Sequence, residues 1–138
     1  MITKISKLLL ILVIAVSMAC TVDRIYTSRF TIVNESSHDI EIEWVFASFD
    51  LPQKTVLKVS ESITYIDGYE ASEPPIPTIH IVDIIYDGNI KTTYTEPSFH
   101  SICDYRNYQY SKTGKYEGTF TFTFTDEDYE YALSQQTE

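Results

Sequence analysis

Two segments of this sequence alternate between apolar and polar residues, and this alternation constrains the fold more than any other feature. In residues 38–46, three acids alternate with apolar residues. In residues 115–125, three threonines alternate with three phenylalanines. A sustained period of two is typical of a β-strand with one buried face and one face in water. The predicted buried positions of the two strands are Ile40, Ile42, Trp44 and Phe46, and Phe120, Phe122 and Phe124.

Shorter apolar segments, separated by turn signals, predict further strands. Asp87 with Gly88 is typical of a hairpin turn, and the prolines of residues 67–77 predict a loop. Residues 78–86 are nearly all apolar, which predicts either a central strand covered on both faces or a bulge near Asp83. The predicted strands are 29–34, 38–46, 54–59, 62–66, 78–86, 90–95 and 115–125.

The predicted fold is mainly β. Short strands at this spacing favour an antiparallel β-sandwich of the immunoglobulin or transthyretin type, with a partly closed barrel as the alternative. We assign the single domain to residues 29–138, with residues 98–111 less regular than the rest. A capping box that begins at Thr125 predicts a short C-terminal helix in residues 126–133, with acids in its first turn.

Residues 1–19 predict export from the cytoplasm. Lys4 and Lys7 precede an uncharged, mostly aliphatic segment, residues 8–19, which has the length of a signal-peptide core. It is too short to cross a membrane, which takes a helix of about 20 residues. Cys20 follows directly and predicts acylation of its thiol after cleavage. The alternatives are an ordinary secretory signal that is cut elsewhere and an uncleaved anchor.

Residues 17–20 resemble the lipobox of bacterial lipoproteins, with Ser17 where leucine is usual. Residues 30–34, with the serine-rich turn after them, and residues 122–129 are similar to segments of small Bacteroidota lipoproteins of unknown function. The resemblance implies a lipidated tether in residues 20–28, with palmitate-type acylation, and a location at the outer membrane of a Gram-negative cell. It implies no catalytic residue.

Charge and cysteine content exclude several classes of function. The formal charge is −10, and removal of residues 1–19, which carry two lysines and no acid, makes it −12. This charge argues against nucleic acid or anionic lipid as a partner, since both need a basic face. With only four glycines, a nucleotide site is not expected. If Cys20 is acylated, Cys103 is the only other cysteine, so no internal disulfide is possible.

Two catalytic or metal candidates are weak. Cys103 with His100 could form the thiol and base of a small hydrolase, but no hydrolase signature surrounds them, and a structural cysteine is the favoured interpretation. His38 and His80 are far apart in sequence, and the acids of residues 126–130 lack the pattern of a calcium loop. We expect no metal and no cofactor.

The tyrosine-rich segment is the best candidate for ligand binding. Tyr105, Arg106, Tyr108 and Tyr110 combine flat rings with a polar donor, which suits a sugar or a protein surface. The competing and favoured interpretation is that Tyr108 and Tyr110, two residues apart, share one face of a strand and pack in the core. The leading functional hypothesis is therefore a non-catalytic binding or structural protein attached to membrane lipid through Cys20, with a protein or a glycan as its other partner.

We expect the exported protein to begin at Cys20 and to carry added acyl mass there. Cys20→Ser should release the protein from the membrane fraction, because two or three acyl chains anchor a domain far more firmly than its surface does. Intact-mass analysis of the exported protein measures this. A mature form without acyl mass would contradict the prediction.

Overall fold

The computed structural model describes residues 24–71 and 73–137. The predicted signal helix in residues 1–19, and Cys20, lie outside the described residues. The described residues contain eight strands, one α-helix and two 3-10 turns. The strands are β1 (Ile25–Asn34), β2 (Ile40–Ala47), β3 (Lys54–Leu57), β4 (Ser62–Glu70), β5 (Ile79–Tyr86), β6 (Ile90–Tyr94), β7 (Gln109–Gly114) and β8 (Glu117–Phe124). The helix α1 spans Asp126–Ser134, and the turns span Tyr105–Asn107 and Gln135–Thr137.

The strands form two four-stranded sheets, one in the order β4-β1-β8-β7 and one in the order β3-β2-β5-β6. The prediction of a mainly β fold with one short C-terminal helix is confirmed. The expectation that all strand pairs are antiparallel is wrong for β1 and β8, which pair in parallel. These two strands are free to run in parallel because most of the chain separates them, so no hairpin dictates their direction.

The two sheets share one hydrophobic core. Inward-facing side chains of β1 and β8 meet those of β2 and β5. The rings of Phe30 and Trp44 have centroids 6.4 Å apart, and so do those of Tyr86 and Phe124. Full burial of a large apolar side chain stabilises a fold by about 1.5–3 kcal/mol. The alternation recognised in the sequence is therefore the pattern that builds this core.

A bulge in β2 changes the predicted buried face of this strand. Ile40, Ile42 and Trp44 are buried as predicted, but Phe46 is 59% exposed. The register of β2 against β5 shifts between Trp44 and Phe46, so the strand gains one residue and Phe46 turns outward.

The strand β5 lies between β2 and β6, but it is not covered on both faces, since His80 is exposed. A second register shift, between Phe46 and Ala47, places an extra residue in β5 between Ile79 and Ile81, so β5 also has a bulge, close to the predicted position at Asp83.

Three differences from the predicted strands are larger than a shift of one or two residues at a strand end. The strand β1 begins at Ile25, inside the predicted tether of residues 20–28, and β4 continues to Glu70, inside the predicted loop of residues 67–77. These two extensions pair with each other, Ile25 opposite Glu70. The third difference is β7, which forms within the segment predicted to be irregular. Ladder hydrogen bonds, rather than an apolar pattern, hold these exposed ends in strands.

Asn34, at the end of β1, joins the two sheets. It is fully buried, and its side-chain amide donates hydrogen bonds to the carbonyl oxygens of His38, Leu57 and Lys58 at 2.8, 3.2 and 3.1 Å. Its side-chain oxygen accepts from the backbone N–H and hydroxyl of Ser36, at 3.1 and 2.7 Å. One side chain of the first sheet therefore satisfies backbone groups at the ends of β2 and β3 in the second sheet.

We expect Asn34→Ala to destabilise the fold by about 3 kcal/mol, because it removes the hydrogen bonds that a fully buried side chain makes to His38, Leu57, Lys58 and Ser36. Thr31→Ala is the matched control on the same strand. It removes an exposed hydroxyl contact with Thr64 and should cost less than about 1 kcal/mol. Urea unfolding monitored by circular dichroism measures both changes. Equal losses in the two variants would contradict the role assigned to Asn34.

Candidate functional site

The segment before β7 is held in a fixed conformation by buried polar groups. The carboxylate of Asp104, 2% exposed, accepts from the backbone N–H of Arg106 at 3.0 Å and from its guanidinium at 2.6 Å. The guanidinium of Arg106 lowers the pKa of Asp104. The Asn107 side chain donates to the carbonyl oxygens of Ser98 and Ser101, both at 2.9 Å. The Tyr105–Asn107 turn is therefore fixed from both sides.

Tyr108 points into the protein. Its ring lies 5.4 Å from that of Phe30 and 6.0 Å from that of Phe122, and its hydroxyl donates to the carbonyl oxygen of Ile102. Burial raises the pKa of Tyr108. The structure thus places Tyr108 where the favoured sequence interpretation placed it, as a packing residue.

Tyr110 lies on β7, two residues after Tyr108, and its ring stays accessible. It lies opposite Phe120 in the β7–β8 ladder, with ring centroids 4.9 Å apart, and it is 52% exposed. Tyr105 is 60% exposed. The favoured interpretation, that Tyr108 and Tyr110 share one strand face and pack in the core, is therefore wrong for Tyr110, and Tyr108 directly precedes β7 instead of lying in it.

Gly118 makes room for the ring of Tyr110. A Cβ atom at Gly118 would lie 2.6 Å from Cε2 of Tyr110 and 3.0 Å from Cβ of Pro74, closer than such contacts occur in proteins. The neighbouring residue on β1 is Ser28, whose buried hydroxyl donates to the carbonyl oxygen of Pro75 at 2.5 Å. Two adjacent small residues therefore let the proline segment and the tyrosine ring lie close to the sheet.

These residues enclose a groove of about 300 Å³, which we call the tyrosine groove. Its walls come from the 3-10 turn, from β7 and β8, and from the proline segment between β4 and β5. The lining side chains are Glu73, Pro74, Ile76, Tyr105, Tyr108, Tyr110 and Phe120. The structure thus brings together the three predicted tyrosines.

Arg106 differs from the three tyrosines, because the residues that line the groove do not include it. Its guanidinium pairs with Asp104, and its side chain is 70% exposed. Sequence reasoning missed Glu73, Pro74, Ile76 and Phe120. The prolines were the available signal, because a rigid loop is a suitable wall for a site. The sequence pattern of Phe120 predicted only a buried core residue. Its proximity to Tyr110 depends on the register of β7 against β8, which the sequence does not reveal.

Cys103 and His100 have other partners than each other. The thiol of Cys103 donates to the carbonyl oxygen of Tyr94 at 3.8 Å, and burial raises its pKa. The imidazole of His100 lies 3.0 Å from the carboxylate of Asp128 and stacks on the ring of Tyr131. A raised pKa reduces the thiolate fraction that a nucleophile needs. These contacts hold the 98–104 segment against α1.

The other histidines are also engaged. His38 lies 2.6 Å from the carboxylate of Asp87 and stacks on Tyr129, and the ring of His80 lies 4.9 Å from that of Phe46. In residues 24–71 and 73–137, no group of three His, Cys, Asp or Glu side chains is arranged to hold a metal ion. Over the same residues, no helix combines the length and apolar character needed to cross a membrane.

Comparison of this chain with protein-family models, with curated proteins and with solved structures found no match.

We expect Cys103 to react slowly with iodoacetamide in the folded protein, because burial raises its pKa and limits access. In the Cys20→Ser variant Cys103 is the only thiol. At mildly alkaline pH its alkylation should be roughly tenfold or more slower than in the same variant unfolded in urea. Mass spectrometry of quenched samples gives both rates. Equal alkylation rates in the folded and unfolded protein would contradict the prediction and show that Cys103 is accessible and reactive.

Proposed function

We propose that this chain is a non-catalytic binding protein, anchored through acylated Cys20 at the outer membrane of a Gram-negative bacterium, and that its tyrosine groove binds a carbohydrate. The observation that carries the proposal is the exposure of two aromatic rings, Tyr105 and Tyr110, at a groove with an aromatic floor. Exposed aromatic rings that line the same groove are typical of a binding surface.

The chemistry of the groove fits a sugar ring. Aromatic faces take the apolar C–H face of a sugar, while the tyrosine hydroxyls can donate to or accept from its hydroxyl groups. Glu73 adds an exposed carboxylate, which accepts hydrogen bonds from hydroxyls. Because Glu73 is the only charged residue of the lining, the groove favours a neutral ligand over an anionic one.

The size of the groove supports a small ligand. Small-molecule sites usually have volumes of about 300–1,000 Å³. At about 300 Å³, the tyrosine groove has room for one or two sugar units of a longer chain. A stable protein partner would instead need about 800 Å² of surface on each side. We therefore place a glycan before a protein as the ligand.

The fold proposed for this module is a β-sandwich of the immunoglobulin or transthyretin type. Support comes from two four-stranded sheets with one shared core. The likeness concerns the stacking of the sheets. The strand orders here differ from the ABED and CFG orders of immunoglobulin constant domains.

The non-catalytic and anchored parts of the proposal have separate support. The pairing of His100 with Asp128, and the raised pKa of Cys103, disfavour the hydrolase alternative. The anchor is supported by residues 1–20, whose signal-like pattern ends in a cysteine. A short connection from Cys20 to β1 would keep the groove close to the membrane.

The test uses glycan-array screening of the protein, followed by titration calorimetry with a glycan that binds. Tyr105→Ala combined with Tyr110→Ala should weaken binding about tenfold or more, since two ring contacts are lost. Tyr108→Ala is a poor probe, because Tyr108 packs against Phe30 and Phe122 and its loss would disturb the core.

Phe99→Ala is the matched control. Phe99 is 79% exposed, yet it does not line the groove, so its removal should leave glycan binding unchanged. Unfolding midpoints of all variants confirm that the fold is retained. If no glycan binds the unmodified protein, or if Phe99→Ala weakens binding as much as the tyrosine variants, the carbohydrate proposal fails.

A further inference from the structure

The cations of this acidic protein divide into two sets. Four of the described lysines and arginines form ion pairs with carboxylates: Lys54 with Glu41, Lys58 with Asp39, Lys91 with Asp83, and Arg106 with Asp104. Four others, Arg24, Arg29, Lys112 and Lys115, have no carboxylate of the described residues within 4.0 Å. Arg29 is half-buried in the middle of β1, whereas the other three are exposed.

These three exposed cations lie at one end of the first sheet. The Cζ atom of Arg24 lies 5.9 Å and the Nζ atom of Lys115 5.2 Å from the centre of the Tyr116 ring. The ring of Tyr26 packs edge-on against that of Tyr116, at 5.3 Å. Lys112 lines a depression with Lys115 and Tyr26. We call Arg24, Tyr26, Lys112, Lys115 and Tyr116 the cationic end.

Strand register explains why they meet. The parallel strands β1 and β8 both begin at this end, where Thr27 lies opposite Glu117. The strand β7 ends there, with Lys112 opposite Gly118. Two separate parts of the chain, the start of β1 and the β7–β8 hairpin, therefore supply positive charge and tyrosine rings to one surface.

The two ends of the sheet differ strongly in charge. Carboxylates also occur near the cationic end, at Glu70, Glu73 and Glu117, and Asp23 precedes Arg24 in the sequence, so this surface has no net positive charge. At the other end, after β8, the first turn of α1 carries three acids and its last turn carries no base. Since β1 is ten residues long, the two ends are about 30 Å apart.

The chain leaves the domain at the cationic end. Arg24 directly precedes β1, and Cys20 lies four residues before it. Four extended residues span at most about 14 Å. An acylated Cys20 therefore holds the cationic end, and not the acidic helix, against the lipid.

We propose that the cationic end rests on the phospholipid headgroups of the membrane in which Cys20 is anchored. This inference rests on the proposed acylation for its geometry. Arg24, Lys112 and Lys115, which are not paired with a described carboxylate, can contact lipid phosphates, and the two tyrosine rings take the interfacial position that such rings prefer. The proposal therefore rests on these unpaired cations, the tyrosine rings and the short tether, and not on a basic net charge.

Hydrogen exchange of the acylated protein tests this surface. The protein is compared in vesicles of phosphatidylethanolamine with phosphatidylglycerol and in neutral detergent micelles. Backbone amides of residues 109–117 should exchange several-fold more slowly in the vesicles, while those of α1 are unchanged. High salt should weaken this protection, since exposed charges are screened.

A pair of variants removes the same charge from two places. Lys112→Gln with Lys115→Gln should abolish the protection of residues 109–117. Lys58→Gln with Lys91→Gln, which removes two exposed lysines far from the cationic end, should preserve it. Equal exchange in vesicles and micelles, or equal protection in the two double variants, would overturn the proposal.

A second preparation tests the headgroup contact independently of whether the cell acylates Cys20. The mature chain with Cys103→Ser is coupled through the Cys20 thiol to a maleimide lipid in the same vesicles. Protection of residues 109–117 there supports the surface even if intact mass shows that the cell does not acylate Cys20. If the protein carries acyl mass but residues 109–117 are not protected in either preparation, the proposed headgroup contact is wrong and the proposed acylation of Cys20 is retained.

Discussion

The hydrogen bonds of the Asn34 side chain are the constraint on which this fold depends. The chain enters the first sheet with β1, turns at residues 35–38, and immediately starts the second sheet with β2. Such a change of sheet leaves carbonyl groups at strand ends without ladder partners. One buried amide satisfies three of them, and it does so from a fixed position because Ser36 holds its oxygen. This junction fixes where the second sheet starts relative to the end of β1, and the inward-facing apolar side chains then pack the two sheets together.

The sequence predicted the parts of the fold that depend on local pattern. The alternation in β2 and β8, the turn at Asp87 and the helix after Thr125 each report a local environment, and each was recognised. The exposure of Phe46 was missed because a bulge depends on the partner strand. The parallel pairing of β1 with β8 was missed because no local signal fixes which distant strands become neighbours.

The candidate site shows the same division. Tyr105, Tyr108 and Tyr110 were found because aromatic residues are conspicuous in a polar segment, yet nothing local distinguishes the packed Tyr108 from its exposed neighbours. The distinction arises from Phe30 and Phe122 on other strands, and from the missing side chain at Gly118. The groove is formed by segments that are distant in sequence. The sequence could therefore indicate its tyrosines, but not the residues of the proline segment and β8 that complete it.

Two surfaces of the domain meet at the same side chains. Tyr110, Pro74 and Glu73 line the tyrosine groove and also the depression that contains Lys112 and Lys115. Charge screening decides how these surfaces act at a membrane. At physiological salt the Debye length is about 8 Å, so the acids of α1, about 30 Å away, contribute little repulsion at the lipid surface. In the proposed orientation, with the cationic end on the membrane, a ligand in the groove would lie beside the headgroups rather than far from them.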